Sequence, residues 1–361
     1  MSPRVTVLMS VHNGEKYLRE SIESILHQTF TDFELLIIND ASLDSSRDIL
    51  HSYNDPRIRL IENRKNLGQA ESLNIGINKA KGKYIARMDQ DDISLPKRLK
   101  YQYGLMEDND NIGVCGTFAQ FINSDSKKIK FHYNEKLMTS NLDIKSQLLF
   151  RSCFIHPSVI IRLSFLKENH LYYEKSVGHA QDYLLWYRMS SLCDFMNIPK
   201  KLLKYRIHQE QLSKGKRNDQ FSSSNNIRRI IIGKFLEREV SEAEKIKHTR
   251  ISIAQYGSSF SKIDEAENWL KFLMNHNEIN GKYNRKSLTK VLRNIWMVIC
   301  MNSSHLGMKL LVKYFSSIYW KFKVENIYQE MKFILKCFIK YKVELLAYDW
   351  TLKTQDFGLS E

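Results

Sequence analysis

No apolar run in the 361 residues reaches the roughly 18 needed to cross a bilayer, so no spanning helix is expected. Met1-Ser2-Pro3-Arg4 leads straight into a strand pattern, without the basic, apolar and small-residue regions of a secretion signal. Cysteine is scarce: Cys115, Cys153, Cys193, Cys300 and Cys337 are odd in number and far apart. That spacing excludes a disulfide framework and a cysteine metal site, and buried free thiols in a reducing cytoplasm are expected. No internal repeat is present. Acidic residues number only 40 against 55 Lys and Arg, a net charge of +15. The excess is uneven. Between Lys282 and Lys342, thirteen Lys or Arg face only Glu325 and Glu330. A partner for that stretch should be anionic. With 43% hydrophobic residues the chain is expected to be globular.

The first 120 residues alternate two patterns. Continuous apolar runs predict strands at Val5–Val11, Phe33–Asn39, Arg57–Ile61 and Lys83–Met88. Helices are predicted from Gly14 to about Gln28 with Asn13 as cap, near Ser45–Tyr53, and over Gly68–Lys79 with Gly82 as the stop. The alternation implies an α/β fold: a mostly parallel, doubly wound sheet with helices on both faces. A helix after Pro96, a strand over Ile112–Phe121, a polar loop or hairpin over 122–137, a strand within Phe154–Arg162, a loop-to-helix passage over Gly178–Leu192 and a strand at Ile198–Ile207 follow. This predicts a domain over residues 1–213. Residues 214–226, rich in Ser, Asn and charge, read as a linker, and 227–361 as a mainly helical, basic, amphipathic region.

Chemistry concentrates at Arg87-Met88-Asp89-Gln90-Asp91-Asp92, where three carboxylates fall within four positions after an apolar strand. Such groups repel one another unless a cation sits among them. Mg²⁺ and Mn²⁺ take oxygen ligands, and in phosphate chemistry they bind through one or two carboxylates plus phosphate oxygens. Open α/β sheets place ligands at the carboxyl ends of their strands. The segment therefore suggests a metal–diphosphate site, with a solvated acidic turn as the alternative.

Five motifs, in order, resemble a family-2 glycosyltransferase of the GT-A fold. They are Ser10-Val11-His12-Asn13-Gly14-Glu15-Lys16-Tyr17-Leu18, Ile38-Asn39-Asp40-Ala41-Ser42, Asn66-Leu67-Gly68 with Asn74-Ile75-Gly76, Met88-Asp89-Gln90-Asp91-Asp92, and Gln181-Asp182-Tyr183-Leu184-Leu185-Trp186. The resemblance spans about residues 3–213. It implies a nucleotide-sugar donor, usually a UDP-sugar, a Mn²⁺ or Mg²⁺ ion, and inverting transfer to an acceptor hydroxyl. Carried onto this chain, it assigns donor binding to Val11, Asn13, Glu15, Asp40, Asn66, Gly68, Arg87 and Asp89, with Asp40 accepting from the uracil N3–H. Asp91 and Asp89 would hold the metal, Asp92 would cap the next helix, and Asp182 would be the base. Tyr205-Arg206-Ile207-His208 resembles a late motif of the family and makes His208 a further candidate for the metal or diphosphate. Two departures stand out. Gln181 replaces a common Glu, removing a like charge beside Asp182, and Leu73 stands where an Arg often helps hold the nucleotide, leaving Arg87, Arg64 or Lys65 to supply the cation.

The general look of the chain is similar to bacterial enzymes that build capsule, O-antigen or exopolysaccharide repeats, which implies a lipid-linked saccharide acceptor. The apolar and aromatic residues interleaved with Lys over 286–343 suit an anionic bilayer surface, and packing of that stripe is the alternative. A peripheral location on the cytoplasmic face of the plasma membrane is expected. A nucleotidyltransferase would carry a Gly-rich loop after the first strand, where Val11-His12-Asn13-Gly14-Glu15 has one Gly. A non-catalytic scaffold would not need Asp40, Asp89, Asp91 and Asp182 intact. No nucleic-acid partner is expected, because the excess cations lie in the tail rather than on the motif-bearing domain.

Overall fold

The computed structural model describes residues 2–130, 137–209, 211, 217–255, 259–317 and 330–339. The chain divides into two units, Met1–Ile227 and Arg228–Glu361.

The first unit is built on an eight-stranded sheet of order β3-β2-β1-β4-β7-β6-β8-β5. β1 (Val5–Val11), β2 (Phe33–Asn39), β3 (Ile58–Glu62) and β4 (Tyr84–Met88) are mutually parallel. They follow the continuous apolar runs, and β1, β2 and β4 are almost wholly buried. β5 (Ile93–Ser94), β6 (Ile112–Ile122), β7 (Ile160–Arg162) and β8 (Asp194–Arg206) complete a mixed sheet. β7 runs antiparallel to both β4 and β6, while β8 is parallel to β6. The helices are α1 (Leu18–Leu26), α2 (Ser46–His51), α3 (Gln69–Lys79), α4 (Arg98–Glu107), α5 (Asn141–Gln147), α6 (Leu163–Glu168) and α7 (Gln181–Met189).

Register fixes the site. Val11 pairs with Asn39 across β1 and β2, and Met9 pairs with Met88 across β1 and β4. His12, Asp40 and Asp89 therefore leave three adjacent strands at the same, carboxyl end. The order 3-2-1-4 also reverses direction between β1 and β4, which is where open α/β sheets bind ligands.

Several boundaries differ from the sequence reading. Asn13 does not cap α1. It adopts φ 50°, its Oδ1 accepts from Leu43 N at 2.8 Å, and α1 begins only at Leu18. Gly82 does not cap α3 either. The helix stops at Lys79, Ala80 is extended, and a Cβ on Gly82 would lie 2.5 Å from Thr6 N, so the glycine serves a close approach to β1. Phe154–Arg162 is mostly not strand: a 3₁₀ turn over His156–Ser158 precedes the short β7. In the predicted linker, 214–216 lie outside the described residues and 217–226 form the first half of α8 (Arg217–Leu236). That helix is sustained by its second half, where Ile227, Ile231, Ile232, Phe235 and Leu236 are buried. Tertiary burial of one stripe overrides the weak propensity of the Ser- and Asn-rich turns.

The second unit is helical: α9 (Glu242–Ser252), α10 (Phe260–Asn280), α11 (Arg285–Asn302), α12 (Gly307–Ser316) and a helical segment over 330–339. Ser241 and Glu244 form a reciprocal capping box on α9, and Gly281 in the left-handed region closes α10. Trp296, Ile299, Leu310, Leu311 and Tyr314, read from sequence as a bilayer-facing stripe, are instead core residues of this unit. Burial inside the unit takes these residues out of water without a bilayer. Ile318, Tyr319, Trp320 and Phe322 of that stripe lie outside the described residues. Among the described residues no single helix is long and apolar enough to cross a membrane.

Candidate active site

Asp40 is 2% exposed at the end of β2. Its Oδ1 accepts from Asn63 Nδ2 at 2.8 Å and Leu67 N at 2.9 Å, and its Oδ2 accepts from Gly68 N at 2.8 Å. The carboxylate thus ties the 63–68 loop to the sheet, with acceptor capacity left on Oδ2. Asn66 Oδ1 also accepts from Gly68 N, and Asn66 Nδ2 lies 3.0 Å from His12 Nε2. His12 Nδ1 lies 2.8 Å from the Asp40 carbonyl, which only accepts, so the proton sits on Nδ1 and Nε2 receives the Asn66 amide. Val11 O accepts from Asp40 N at 2.7 Å. Glu15 Oε2 receives Ser45 N at the start of α2. The predicted donor residues Val11, Asn13, Glu15, Asp40, Asn66 and Gly68 therefore form one connected wall at the carboxyl ends of β1 and β2. Arg64 and Lys65 are exposed on the 63–68 loop, which joins β3 to α3.

The acidic turn follows β4. Asp89, Asp91 and Asp92 bring one oxygen each within 4.8 Å of one another. Arg87, 2% exposed, lies beneath them and pairs its guanidinium with Asp89. Its charge is thus held beneath the acidic turn. Burial, opposed by Arg87 and reinforced by the Asp91 charge, raises the Asp89 pKa. Asp92 rises further, through burial and then the charges of Asp91 and Asp89. Asp92 does not cap the following helix: its Oδ1 accepts from Arg206 N at 2.8 Å, and α4 begins at Arg98. His208 Nε2 sits 2.8 Å from Asp91 Oδ2. Among the described residues, Asp92 Oδ2 and His208 Nδ1 are buried without a hydrogen-bond partner.

This donor set fits a hard divalent cation. Carboxylate oxygens from Asp89, Asp91 and Asp92 converge, the imidazole of His208 adjoins them, and burial, with the charges of neighbouring carboxylates added, raises the Asp89 and Asp92 pKa values, a cost a cation would relieve.

Asp182 lies in the first turn of α7, partly buried. Burial raises its pKa against the backbone amides of Tyr183 and Asp182 and the Arg87 charge, and Ser152 Oγ lies 3.5 Å from its Oδ2. A carboxylate so placed is a better proton acceptor than a solvated one. Gln181 Nε2 donates to Gln69 Oε1 at 3.2 Å, and Gln69 Nε2 reaches Asp89 Oδ1 at 3.5 Å, so two amides join the α7 start to the acidic turn. Trp186 is fully buried against Phe154 and His156, a packing role. Tyr183 is buried with its hydroxyl on the Leu148 carbonyl.

Other residues at the site were not read from the sequence. Gln90 accepts from His12 N at 2.8 Å and donates to His12 O at 3.1 Å, clamping the β1 exit to the acidic turn. A Cβ on Gly14 would stand 2.7 Å from Gln90 Cδ, so the glycine makes room for that clamp. Tyr173, held by a reciprocal pair with Asn74, bonds its hydroxyl to His156 Nε2 at 2.9 Å. Burial and then Arg87 push the His156 pKa well down, keeping that ring neutral.

Three carboxylates thus gather where parallel strands end, and Asp182 stands apart from them on α7. Residues 6–168 match the family described as Glycosyl transferase family 2. The chain is 34% identical over 243 residues to an uncharacterized glycosyltransferase of Haemophilus influenzae, covering 65% of this chain and 75% of that protein. It is 34% identical over 217 residues to the O-antigen biosynthesis glycosyltransferase WbnJ of Escherichia coli, covering 58% and 82%. The chain belongs to glycosyltransferase family 2. Among solved structures, S. aureus TarS 1–349 in complex with UDP-GlcNAc aligns at TM-score 0.54 and 16% identity, covering 88% of this chain and 89% of that one. The mannosyltransferase PcManGT from Pyrobaculum calidifontis, in complex with GDP-Man and Mn2+, aligns at TM-score 0.52 and 12% identity, covering 94% and 87%. Both likenesses are of fold, and that fold is GT-A.

Proposed function

We propose that the chain transfers one hexose or N-acetylhexosamine, with inversion, from a UDP-sugar to a hydroxyl of a lipid-linked saccharide in surface-polysaccharide synthesis. The observation that carries this is the separation of roles: three carboxylates cluster after β4, while Asp182 stands alone on α7 with its pKa raised. Asp40 and the 63–68 loop bind the nucleoside, and Gln90 fixes the β1 exit against the acidic turn. Asp89, Asp91, Asp92 and His208 would hold Mn²⁺ or Mg²⁺, which neutralises charge on the departing diphosphate. The acceptor oxygen attacks the anomeric carbon, the bond to the diphosphate breaks with its electron pair leaving on UDP, and the acceptor proton passes to Asp182. General-base assistance of this kind typically contributes about 10²–10⁴-fold. The relation to an O-antigen transferase supports the acceptor class. The UDP-GlcNAc complex of TarS supports the donor class, against the GDP-mannose of the archaeal relative in fold.

A peripheral position on the cytoplasmic face of the membrane belongs to the same reading. It is supported by the basic tail and by Met331, Leu335, Phe338 and Ile339, which lie exposed on one side of the 330–339 helix with Lys332 and Lys336 at its edge. The test is a panel of UDP-sugars with a lipid-diphosphate-linked saccharide, the product linkage read by NMR. A β-linked product from an α-linked donor supports inversion, and an α-linked product overturns it.

A further inference from the structure

Arg206 ends β8, two residues before His208, in a stretch read from sequence only for its histidine. It is 1% exposed. Its backbone N donates to Asp92 Oδ1 and its Nε to Asp91 O, both at 2.8 Å. Its Nη1 donates to Ser126 Oγ at 2.9 Å and lies 3.3 Å from the carbonyls of Asn123 and Ser124. Its Nη2 donates to Glu20 Oε2 at 2.5 Å. The guanidinium also lies 4.4 Å from the Tyr17 ring centroid, and that ring stands 4.9 Å from the His208 ring. One side chain therefore joins the acidic turn, α1 and the turn after β6. The chain beyond it carries the imidazole to Asp91 Oδ2.

The geometry matters because His208 lies past the end of β8, where the sheet no longer dictates its place. The fork of a guanidinium offers five donors at fixed angles, and here the acceptors surround it on three sides. We infer that Arg206 is a positioning residue for the metal centre: it sets the spacing between His208 and the Asp91–Asp92 turn, so that the imidazole and carboxylates present a preformed donor set to a divalent cation. This rests on the reading above that Asp91 and His208 hold the metal. Outer partners that orient metal ligands typically contribute 10–100-fold to affinity.

The test is calorimetric titration of UDP at a series of Mn²⁺ concentrations, with melting temperatures recorded for each variant. Arg206→Lys keeps the charge and loses the fork. It should raise the Mn²⁺ concentration for half-maximal UDP binding about tenfold or more. His208→Ala should do the same, and the double variant should be no worse than the worse single one, since both act through one ligand. If His208→Ala leaves the Mn²⁺ requirement unchanged, the metal reading of His208 fails and this inference with it. If His208→Ala raises the requirement but Arg206→Lys does not, or if the two effects multiply in full, the inference alone fails. Should Arg206→Lys not fold, Glu20→Gln decides. Its carboxylate is about half exposed, so a shift of about two- to fivefold in Mn²⁺ requirement is expected, and no shift overturns the inference.

Discussion

Asp40→Asn should destabilise the protein before any nucleotide is added. The Asp40 carboxylate is buried and accepts from three donors at 2.8–2.9 Å: Asn63 Nδ2, Leu67 N and Gly68 N. An asparagine has one oxygen. If it keeps Asn63 and Leu67, its amide nitrogen faces the Gly68 N–H, donor against donor, and the other rotamer strands the first pair. A hydrogen bond to a charged acceptor contributes about 1.5–3 kcal/mol. The Gly68 N–H keeps Asn66 Oδ1 as a second acceptor at 3.0 Å, so a loss of about 1.5–3 kcal/mol follows. The unit spans Met1–Ile227. For domains of that size each kcal/mol lowers the melting temperature by about 2–4 °C, so a drop of about 3–12 °C is expected. Differential scanning calorimetry without ligand is the assay. A melting temperature within a degree of the parent would refute the claim that Asp40 holds the 63–68 loop, and would leave it a residue that acts only on ligand.

Three further predictions follow from the same geometry. Asp182→Asn should lower turnover by about 10²–10⁴-fold with UDP affinity nearly unchanged, and a parallel loss of UDP binding would contradict its role as base. Because burial raises the Asp182 pKa and only the ionised form accepts a proton, kcat/KM should fall as pH drops through a value above the ordinary 3.8, and an acid limb at or below 3.8 would count against the assignment. Gly14→Ala should drive Gln90 off the His12 backbone. That should weaken UDP binding severalfold in calorimetry, by about 1 kcal/mol, while unchanged binding would show that the clamp does not shape the donor wall.

Asp40, Asp89 and Asp91 stand out in the sequence because an apolar strand stops just before them, and Asp182 because it opens a helix with an apolar run behind it. What was not legible depends on partners distant in sequence. Arg206 meets Asp91 and Asp92 across more than a hundred residues, as Asp92 meets Arg206 instead of capping a helix. Local capping logic sees only Ser94 and Pro96 and cannot weigh a donor arriving from β8. Gln90 carried no assignment because its partner is the backbone of His12, which has no side-chain signature. Asn13 failed as a cap for a related reason. Left-handed asparagine and N-cap asparagine look alike in sequence, and the choice is made by Leu43 N. In the second unit the amphipathic pattern was legible but its covering was not: Trp296, Ile299, Leu310, Leu311 and Tyr314 are buried while Met331, Leu335, Phe338 and Ile339 stay exposed, because periodicity locates an apolar face without saying whether a bilayer or a neighbouring helix covers it.

The central claim is that the acidic turn and the Asp40 wall together bind a metal-bridged nucleoside diphosphate. Calorimetric titration of the full chain with UDP, GDP and CMP, each with and without Mn²⁺, tests it most directly. The account predicts binding of UDP that requires Mn²⁺ and is lost in Asp91→Ala. UDP binding that is indifferent to Mn²⁺ and to Asp91, or no binding of any of the three nucleotides, would contradict it.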